Sequence, residues 1–471
     1  MTPSVRVLGI DVAERNLPFR MPFRFGVVTL EACPQLLVRA RVVVDDREVV
    51  GVSSELALPK WFDKSPSLTL EDNVVQLRRS LAIADEVYRS AGSASSPFGL
   101  HRACVEEDLR RCDREGLPPL VASFGVALID RAIIDAACRA GGLSFFDAVR
   151  RNVLGIDLTL TPELAGFDLD GFLRSLRPAR EIAARHTVGL VDPLQAGDLP
   201  EGRRPEDPLP CTLEECVERY GLTSFKLKLS GSLDADVDRL TRIAGVLDRL
   251  PDYRATLDGN EQYKDAEGIL SLWEALESRP TLARLRSAIL FIEQPIARSV
   301  ALTSSVAALA RKRPVEIDES DGTLEAFLQA RELGYTGVSS KSCKGVYRSI
   351  LNRARCAHWN STEGEERFFM SAEDLIVQAG VSLQQDLSLA ALIGCTHVER
   401  NGHHYINGLA HAPREEQERI LNAYPGLYRR GEDGVVRLSV RGGKIALDDL
   451  HGPGFGSASE RLQVDATTPC R

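Results

Sequence analysis

The stretch S-F-K-L-K-L-S, Ser224–Ser230, decides the fold. Phe225, Leu227 and Leu229 alternate with Lys226 and Lys228, the period of a β-strand, whose successive side chains point to opposite faces. The pattern recurs down the chain. In A-T-L-D-G-N (255–260), Leu257 opposes Thr256, Asp258 and Asn260. In V-E-I-D-E-S (315–320), Val315 and Ile317 oppose Glu316 and Asp318, a register that turns Glu319 outward. In V-S-S-K (338–341), Val338 and Ser340 oppose Ser339 and Lys341. Each segment carries its ionisable groups opposite its aliphatics. A half-solvated strand would alternate in the same way, but a parallel strand between crossover helices has no solvated face. The charged face is then a barrel interior, where strand C-termini and their loops build active sites.

Working outward, strands are expected at 186–193, 224–231, 253–260, 288–295, 315–320, 337–342, 367–373 and 396–402, with helical segments between them. No Gly-rich G-x-G-x-x-G follows any of them, so the fold class is α/β with a parallel (β/α)7β-type barrel rather than an open dinucleotide sheet. Residues 1–60 read as strands, with a hairpin turn at Asp45-Asp46. Helices follow, one opening at Thr69 and one ending on Gly141-Gly142. The predicted domains are an α+β capping domain over 1–180, the barrel over 181–421, and a C-terminal segment, 422–471, that rejoins the cap. Residues 195–212 form a polar, Pro-rich stretch with no regular structure, placed after the first barrel strand, where it could shape a pocket.

A chain of 471 residues, 44% apolar and 27% charged, is long enough for a barrel plus a second domain. With 58 basic and 67 acidic residues the net charge is −9, and no basic stripe argues for nucleic acid. No apolar run is long enough to span a bilayer, and the N-terminus lacks a secretory signal pattern. Ten scattered cysteines without metal-ligand spacing fit a reduced, cytoplasmic protein. Only nine of the basic residues are lysine, and four of these fall at Lys226, Lys228, Lys341 and Lys344. Lysine can be driven neutral by burial, whereas arginine cannot. A chain that otherwise prefers arginine keeps lysine where a proton must leave. Lys344 lies beyond its strand and is expected at a surface helix start.

Asp258, Glu293 and Asp318 sit at successive strand ends. Converging carboxylates repel one another and raise each other's pKa, which a hard divalent ion with oxygen ligands relieves.

With the K-x-K of 226–228, D-G-N of 258–260, I-E-Q-P of 292–295, I-D-E-S of 317–320 and the lysine of S-S-K-S-C-K-G, the sequence resembles the enolase superfamily, in its muconate-cycloisomerase-like (mandelate racemase/muconate lactonizing enzyme) subgroup. V-S-S-E-L (52–56), G-V-A-L-I-D-R-A-I-I-D-A-A (125–137) and H-G-P-G-F-G (451–456) extend the resemblance to the cap. The resemblance implies Mg²⁺, or a similar ion such as Mn²⁺, held by Asp258, Glu293 and Asp318. It implies Lys228 and Lys341 as acid/base groups on opposite faces of a small-molecule carboxylate, in a homo-oligomeric isomerase or lyase. Lys226 would support the site and help hold Lys228 below its free pKa. A metal-stabilised enediolate can end in racemisation or epimerisation, in cycloisomerisation, or in loss of a β-leaving group.

Departures narrow the reading. The seventh strand, R-F-F-M-S-A-E, offers no histidine, which speaks against sugar-acid dehydration of the mandelate-racemase type. The eighth, H-V-E-R-N-G-H-H, lacks the D-x-D that binds a dipeptide ammonium. By parity Glu373 and Glu399 face inward, to bind substrate with Asn260 or to bridge to a neighbouring strand. His403 and His404 are read as loop structure. In N-L-P-F-R-M-P-F-R-F-G (16–26), Arg20 and Arg24 could pair with a distal anionic group, Phe19, Phe23 and Phe25 could wall a pocket, and Gly26 could hinge the loop. Two other readings remain: a Schiff-base lyase using Lys228 or Lys341, discriminated by borohydride trapping, and a non-catalytic member of the fold.

Overall fold

The computed structural model describes residues 2–25, 28–199, 202, 204–456 and 468–469. The chain opens with an antiparallel sheet built from β1 (Val5–Phe25), β2 (Val28–Val44) and β3 (Arg47–Leu56). β2 and β3 pair from Val44↔Arg47 to Gln35↔Leu56, and Asp45 takes the left-handed conformation that a tight turn needs (φ 52°). Residues 16–25 of the segment read as a loop instead continue β1. Its pairing with β2 is interrupted between Pro18 and Phe23, so residues 19–22 bulge from the ladder. Gly26 lies outside the described residues.

Three helices pack on this sheet: α1 (Leu70–Ser90), α2 (Pro97–Arg114) and α3 (Pro119–Ala140). The Thr69 side chain accepts from Asp72 N–H while the Asp72 carboxylate accepts from Thr69 N–H, a capping box at the expected start. α3 is buried almost all round and lies close against two neighbours. A Cβ on Gly51 of β3 would stand 1.9 Å from Ala132 O, and one on Gly125 would stand 2.4 Å from Ser80 O of α1, so only glycine permits either approach.

The second unit is a curled sheet. β4 (Glu181–Val188), β5 (Ser224–Lys228), β6 (Arg254–Asp258), β7 (Ile289–Glu293), β8 (Val315–Ile317), β9 (Gly337–Ser340), β10 (Phe369–Ala372) and β11 (His397–Arg400) are parallel, in the order β10-β9-β8-β7-β6-β5-β4-β11. The first strand begins five residues before its predicted position, at Glu181 instead of His186. No backbone ladder joins β10 to β11 among the described residues, so the expected closed barrel is a curled parallel sheet open at one seam. Side chains tie that seam. Asp374 N–H donates to Glu399 Oε2 (3.2 Å) and Asn401 N–H donates to Asp374 Oδ2 (2.8 Å).

The C-terminal segment touches both units. After the pair β12 (Tyr428–Arg430) and β13 (Val436–Leu438), β14 (Lys444–Ala446) runs antiparallel to β4. Gly454 bonds the backbone of Leu143 and Phe145 just after α3, and β15 (Thr468–Pro469) pairs with Ala13–Glu14 of β1. Arg131 of α3, fully buried, donates to Ser54 O (3.2 Å), Glu55 Oε2 (3.2 Å) and Gln385 Oε1 (3.1 Å), which joins cap to curled sheet. The nine cysteines of the described residues are all buried and free. Among those residues, no helix is long and apolar enough to cross a membrane.

Candidate active site

The strand ends are locked by the residues that follow them. Asp258 Oδ1 accepts from Asn260 N–H (2.7 Å), folding D-G-N into a turn with Asn260 left-handed (φ 44°). A Cβ on Gly259 would meet Pro295 Cα at 2.5 Å, so this turn and the E-Q-P turn after β7 fit only with glycine there. Gln294 Oε1 accepts from Asp318 N–H (2.8 Å) and Ser320 N–H (3.1 Å), while its amide donates to Ile296 O (2.9 Å) and Ser320 Oγ (2.8 Å). The motif glutamine therefore fixes the neighbouring I-D-E-S turn and presents Asp318.

Inside, one ammonium sits among carboxylates. Lys226 Nζ lies 3.0 Å from Asp258 Oδ2, 2.8 Å from Glu293, 2.7 Å from Glu373 Oε2 and 2.9 Å from Glu399 Oε2, and all five side chains are buried. Burial alone would drive this lysine toward neutrality, but the four acids outweigh it and hold it well above its ordinary pKa. Beneath it, Arg185 of β4 pairs with Glu373, and Ser371 Oγ donates to Glu316 Oε1 (2.9 Å). Burial, with Asp258 and Glu373 nearby, lifts the Glu293 carboxyl far above the usual range, and burial with Glu373 does the same for Glu316.

The two lysines expected to carry protons open onto one cleft, lined also by Phe23, Leu58, Trp61 and Glu399. Lys228 Nζ donates to Asp258 Oδ2 (2.5 Å) and Lys341 Nζ to Asp318 Oδ2 (2.8 Å). Lys341 also lies 5.1 Å from the centre of the Trp61 ring. Burial pushes Lys228 down, and Asp258 outweighs it, so its pKa is raised. Lys226 acts on Lys228 in the expected downward direction, but the carboxylate dominates. The expectation of a lowered Lys228 is corrected accordingly. Lys341 is raised as well, Asp318 outweighing burial. Asp318 in turn is held well below the usual carboxylate range, because Lys341 and Lys344 overcome its burial.

Four further expectations are corrected. Lys344 is not at the surface: 3% exposed, it donates to Asp318 O (2.8 Å) and Ser339 O (3.1 Å) and lies 3.0 Å from Asp318 Oδ1. Glu319 is buried and accepts from Asn260 Nδ2 (2.8 Å), because β8 ends at Ile317 and strand parity stops there. Arg20 is committed to protein: it grips Asp207 of the Pro-rich stretch (2.7 and 2.8 Å) and donates to His404 O (2.8 Å). Arg24 is exposed and does not line the cleft, whereas Phe23 does. Glu373 is spent on Arg185 and Lys226, while Glu399 both lines the cleft and accepts from Thr187 Oγ1 (2.6 Å). Alternation did not reveal Arg185 as a partner, nor Lys64 of the cap, whose Nζ reaches Asn260 O (3.0 Å) and Glu319 (3.3 Å).

The donor set suits a hard divalent cation. Asp258, Glu293 and Asp318 supply only carboxylate oxygens, Glu293 carries more negative surroundings than Lys226 offsets, and the buried Asn260 Oδ1 and Glu319 Oε2 have no hydrogen-bond partner among the described residues. Among the described residues, however, the carboxylates that bring one oxygen each within 4.8 Å of one another are Glu293, Glu316 and Glu373, with Lys226 and Arg185 as counter-charges, and Asp258, Glu293 and Asp318 do not form such a group.

Residues 211–361 match a family model described as enolase C-terminal domain-like. No curated protein matches the chain. Among solved structures, it is similar to a muconate lactonizing enzyme from Mucobacterium Smegmatis complexed with muconolactone (17% identity, 98% of this chain and 99% of that one, TM-score 0.61). It is similar to an enolase from Bradyrhizobium complexed with magnesium and mandelic acid (16%, 99% and 99%, 0.60), and to an N-succinyl Arg/Lys racemase from Bacillus cereus (16%, 97% and 95%, 0.59). At such identities the likeness is one of fold, and it runs the length of the molecule. The family model covers the stretch that carries Lys226, Asp258, Glu293, Asp318 and Lys341, so this part of the chain is similar to the enolase C-terminal domain-like family, and the likeness of fold extends over the whole chain.

Proposed function

We propose that the protein is an enzyme that abstracts a proton α to the carboxylate of a small molecule, with Asp258, Glu293 and Asp318 holding Mg²⁺ or Mn²⁺ and with Lys228 and Lys341 as the acid/base pair. One observation carries the reading. Lys228 on β5 and Lys341 immediately after β9, with three strands between β5 and β9, open onto the same cleft, and each is paired to a different carboxylate of the expected ligand trio.

The bound ion would stabilise the negative charge that develops on the substrate carboxylate as the α-proton leaves. The chain's own residues do the rest. Asp258 and Asp318 keep Lys228 and Lys341 protonated, each poised to deliver a proton at Nζ. Burial pulls both the other way, so loosening either ion pair frees a base. Phe23, Leu58 and Trp61 roof the cleft and exclude water. Lys226 is a positioning residue, the counter-charge that lets four acids converge. Residues 1–180 with 422–471 act as the cap and 181–421 as the chemical unit. Two lysines facing one cleft favour racemisation or epimerisation, in which a proton leaves one face and another is delivered to the opposite face, over cycloisomerisation or elimination, in which one acid/base group at the α-carbon suffices.

The test is proton exchange in D₂O across a set of small carboxylates with Mg²⁺, followed by NMR. Lys341→Ala abolishes exchange from one enantiomer and Lys228→Ala from the other. Full activity of both variants on both enantiomers would refute the assignment.

A further inference from the structure

Outside this site, three potential metal ligands from distant parts of the chain meet behind the first barrel strand. His186 lies on β4, Cys216 on the helix Leu213–Tyr220, and His404 on the short helix Gly402–Tyr405 that follows β11. One ligand atom from each lies within 4.8 Å of the other two, and the side chains are 2%, 0% and 2% exposed. Cys216 Sγ stands 3.6 Å from His404 Nδ1. A tetrahedral zinc ion has bonds of about 2.3 Å to sulfur and about 2.05 Å to nitrogen, which sets a ligand–ligand edge of about 3.6 Å. The observed pair therefore already has the spacing of two corners of such a site.

We propose that His186, Cys216 and His404 bind a borderline divalent cation, zinc, at a site distinct from the carboxylate centre. The donor chemistry separates the two. Imidazole and thiolate select zinc, whereas the Asp258, Glu293 and Asp318 oxygens suit magnesium. A supporting shell is in place: His403 Nε2 lies 3.2 Å from His186 Nδ1, and the Tyr220 ring packs edge-on against His403 with centroids 5.2 Å apart. The Cys216 thiol is protonated until the ion arrives. Binding forms the S–Zn bond and releases that proton to solvent.

Position suggests the role. Cys216 lies on the helix that follows the Pro-rich stretch 195–212, and His404 O accepts from Arg20, which also holds Asp207 of that stretch. A cation bridging β4, Cys216 and His404 would pin the insertion and the cap hairpin to the curled sheet. This is a structural zinc site that fixes the geometry at the rim of the cleft without entering the chemistry.

The full chain, stripped with chelator and dialysed, is titrated with Zn²⁺ and with Co²⁺ in the presence of excess Mg²⁺. The expected result is one equivalent bound per chain, a thiolate-to-cobalt charge-transfer band, and a zinc X-ray absorption spectrum with one sulfur and otherwise nitrogen or oxygen neighbours. Cys216→Ser abolishes the band while Cys211→Ser, a cysteine nearby, keeps it. If Cys216→Ser does not fold, His404→Gln is the second variant, expected to weaken zinc at least tenfold while Mg²⁺ binding is unchanged. No stoichiometric zinc, an all-oxygen shell, or a band that survives Cys216→Ser would overturn the proposal.

Discussion

Replacing Lys226 with methionine removes the one cation that four buried acids share. In the native chain its ammonium lies 2.7–3.0 Å from Asp258, Glu293, Glu373 and Glu399, and none of the five side chains is more than 2% exposed. At an effective dielectric constant of about 20, each such contact between full charges is worth about 6 kcal/mol of Coulomb energy before the desolvation of both partners is subtracted, and Glu293, whose carboxyl is lifted far above the usual range, contributes less than the others. Breaking a buried pair by removing one member costs about 3–5 kcal/mol overall, because a charge is left without compensation. Glu373 retains Arg185, which leaves Asp258, Glu293 and Glu399 with less counter-charge. The expected loss at pH 7 is therefore about 3–5 kcal/mol, read from urea unfolding. The sign with pH follows from the partners. Asp258 and Glu399 are held below their ordinary values, since Lys226 and Lys228 overcome burial. The stability they contribute is present above the usual carboxylate range and lost as pH falls through their folded values. The deficit of Lys226→Met is thus largest at neutral pH and narrows in acid. Added Mg²⁺ stabilises the variant more than the native chain. A loss below about 1 kcal/mol at pH 7, or one independent of pH, would refute this account of the cluster.

Asp108, fully buried on α2 with Cys112 Sγ 3.7 Å away, has its carboxyl pushed up by burial to about 7. Unfolding ionises it, so stability is full below about pH 4 and falls by about 4 kcal/mol as pH rises through 7. Asp108→Asn should be the more stable protein at pH 8 and show a shallower pH slope; equal slopes in paired urea titrations would contradict it. Gly51→Ala drives a methyl into the α3 backbone, 1.9 Å from Ala132 O and 2.6 Å from Ala136 N, and should destabilise by about 3 kcal/mol or more in thermal unfolding. Thr69→Ala deletes the capping box of α1 and should lower unfolding free energy by about 1 kcal/mol, with no change in Mg²⁺ affinity measured by calorimetry.

What the sequence determined by itself was the periodic and the local. Alternation in S-F-K-L-K-L-S and its counterparts gave the strands and the inward set, because a two-residue period is imposed by each strand's own backbone. The Asp45 turn and the Thr69 cap were legible because their hydrogen bonds close within three or four residues. Where those conditions failed, so did the reading. β4 begins at Glu181 in a run of charged residues and alanines, a weak apolar signal, and owes its strand to pairing with β5, β11 and β14. Glu319 escaped because parity says nothing once a strand has ended. Only the tertiary structure decided how the charges pair. Arg20 met Asp207 across 187 positions, Arg185 met Glu373 across 188, and Lys64 came from the cap to Glu319 across 255. A buried charge takes whichever counter-charge the fold brings within about 3 Å, and that neighbour is set by how the chain closes in space, which no local pattern encodes.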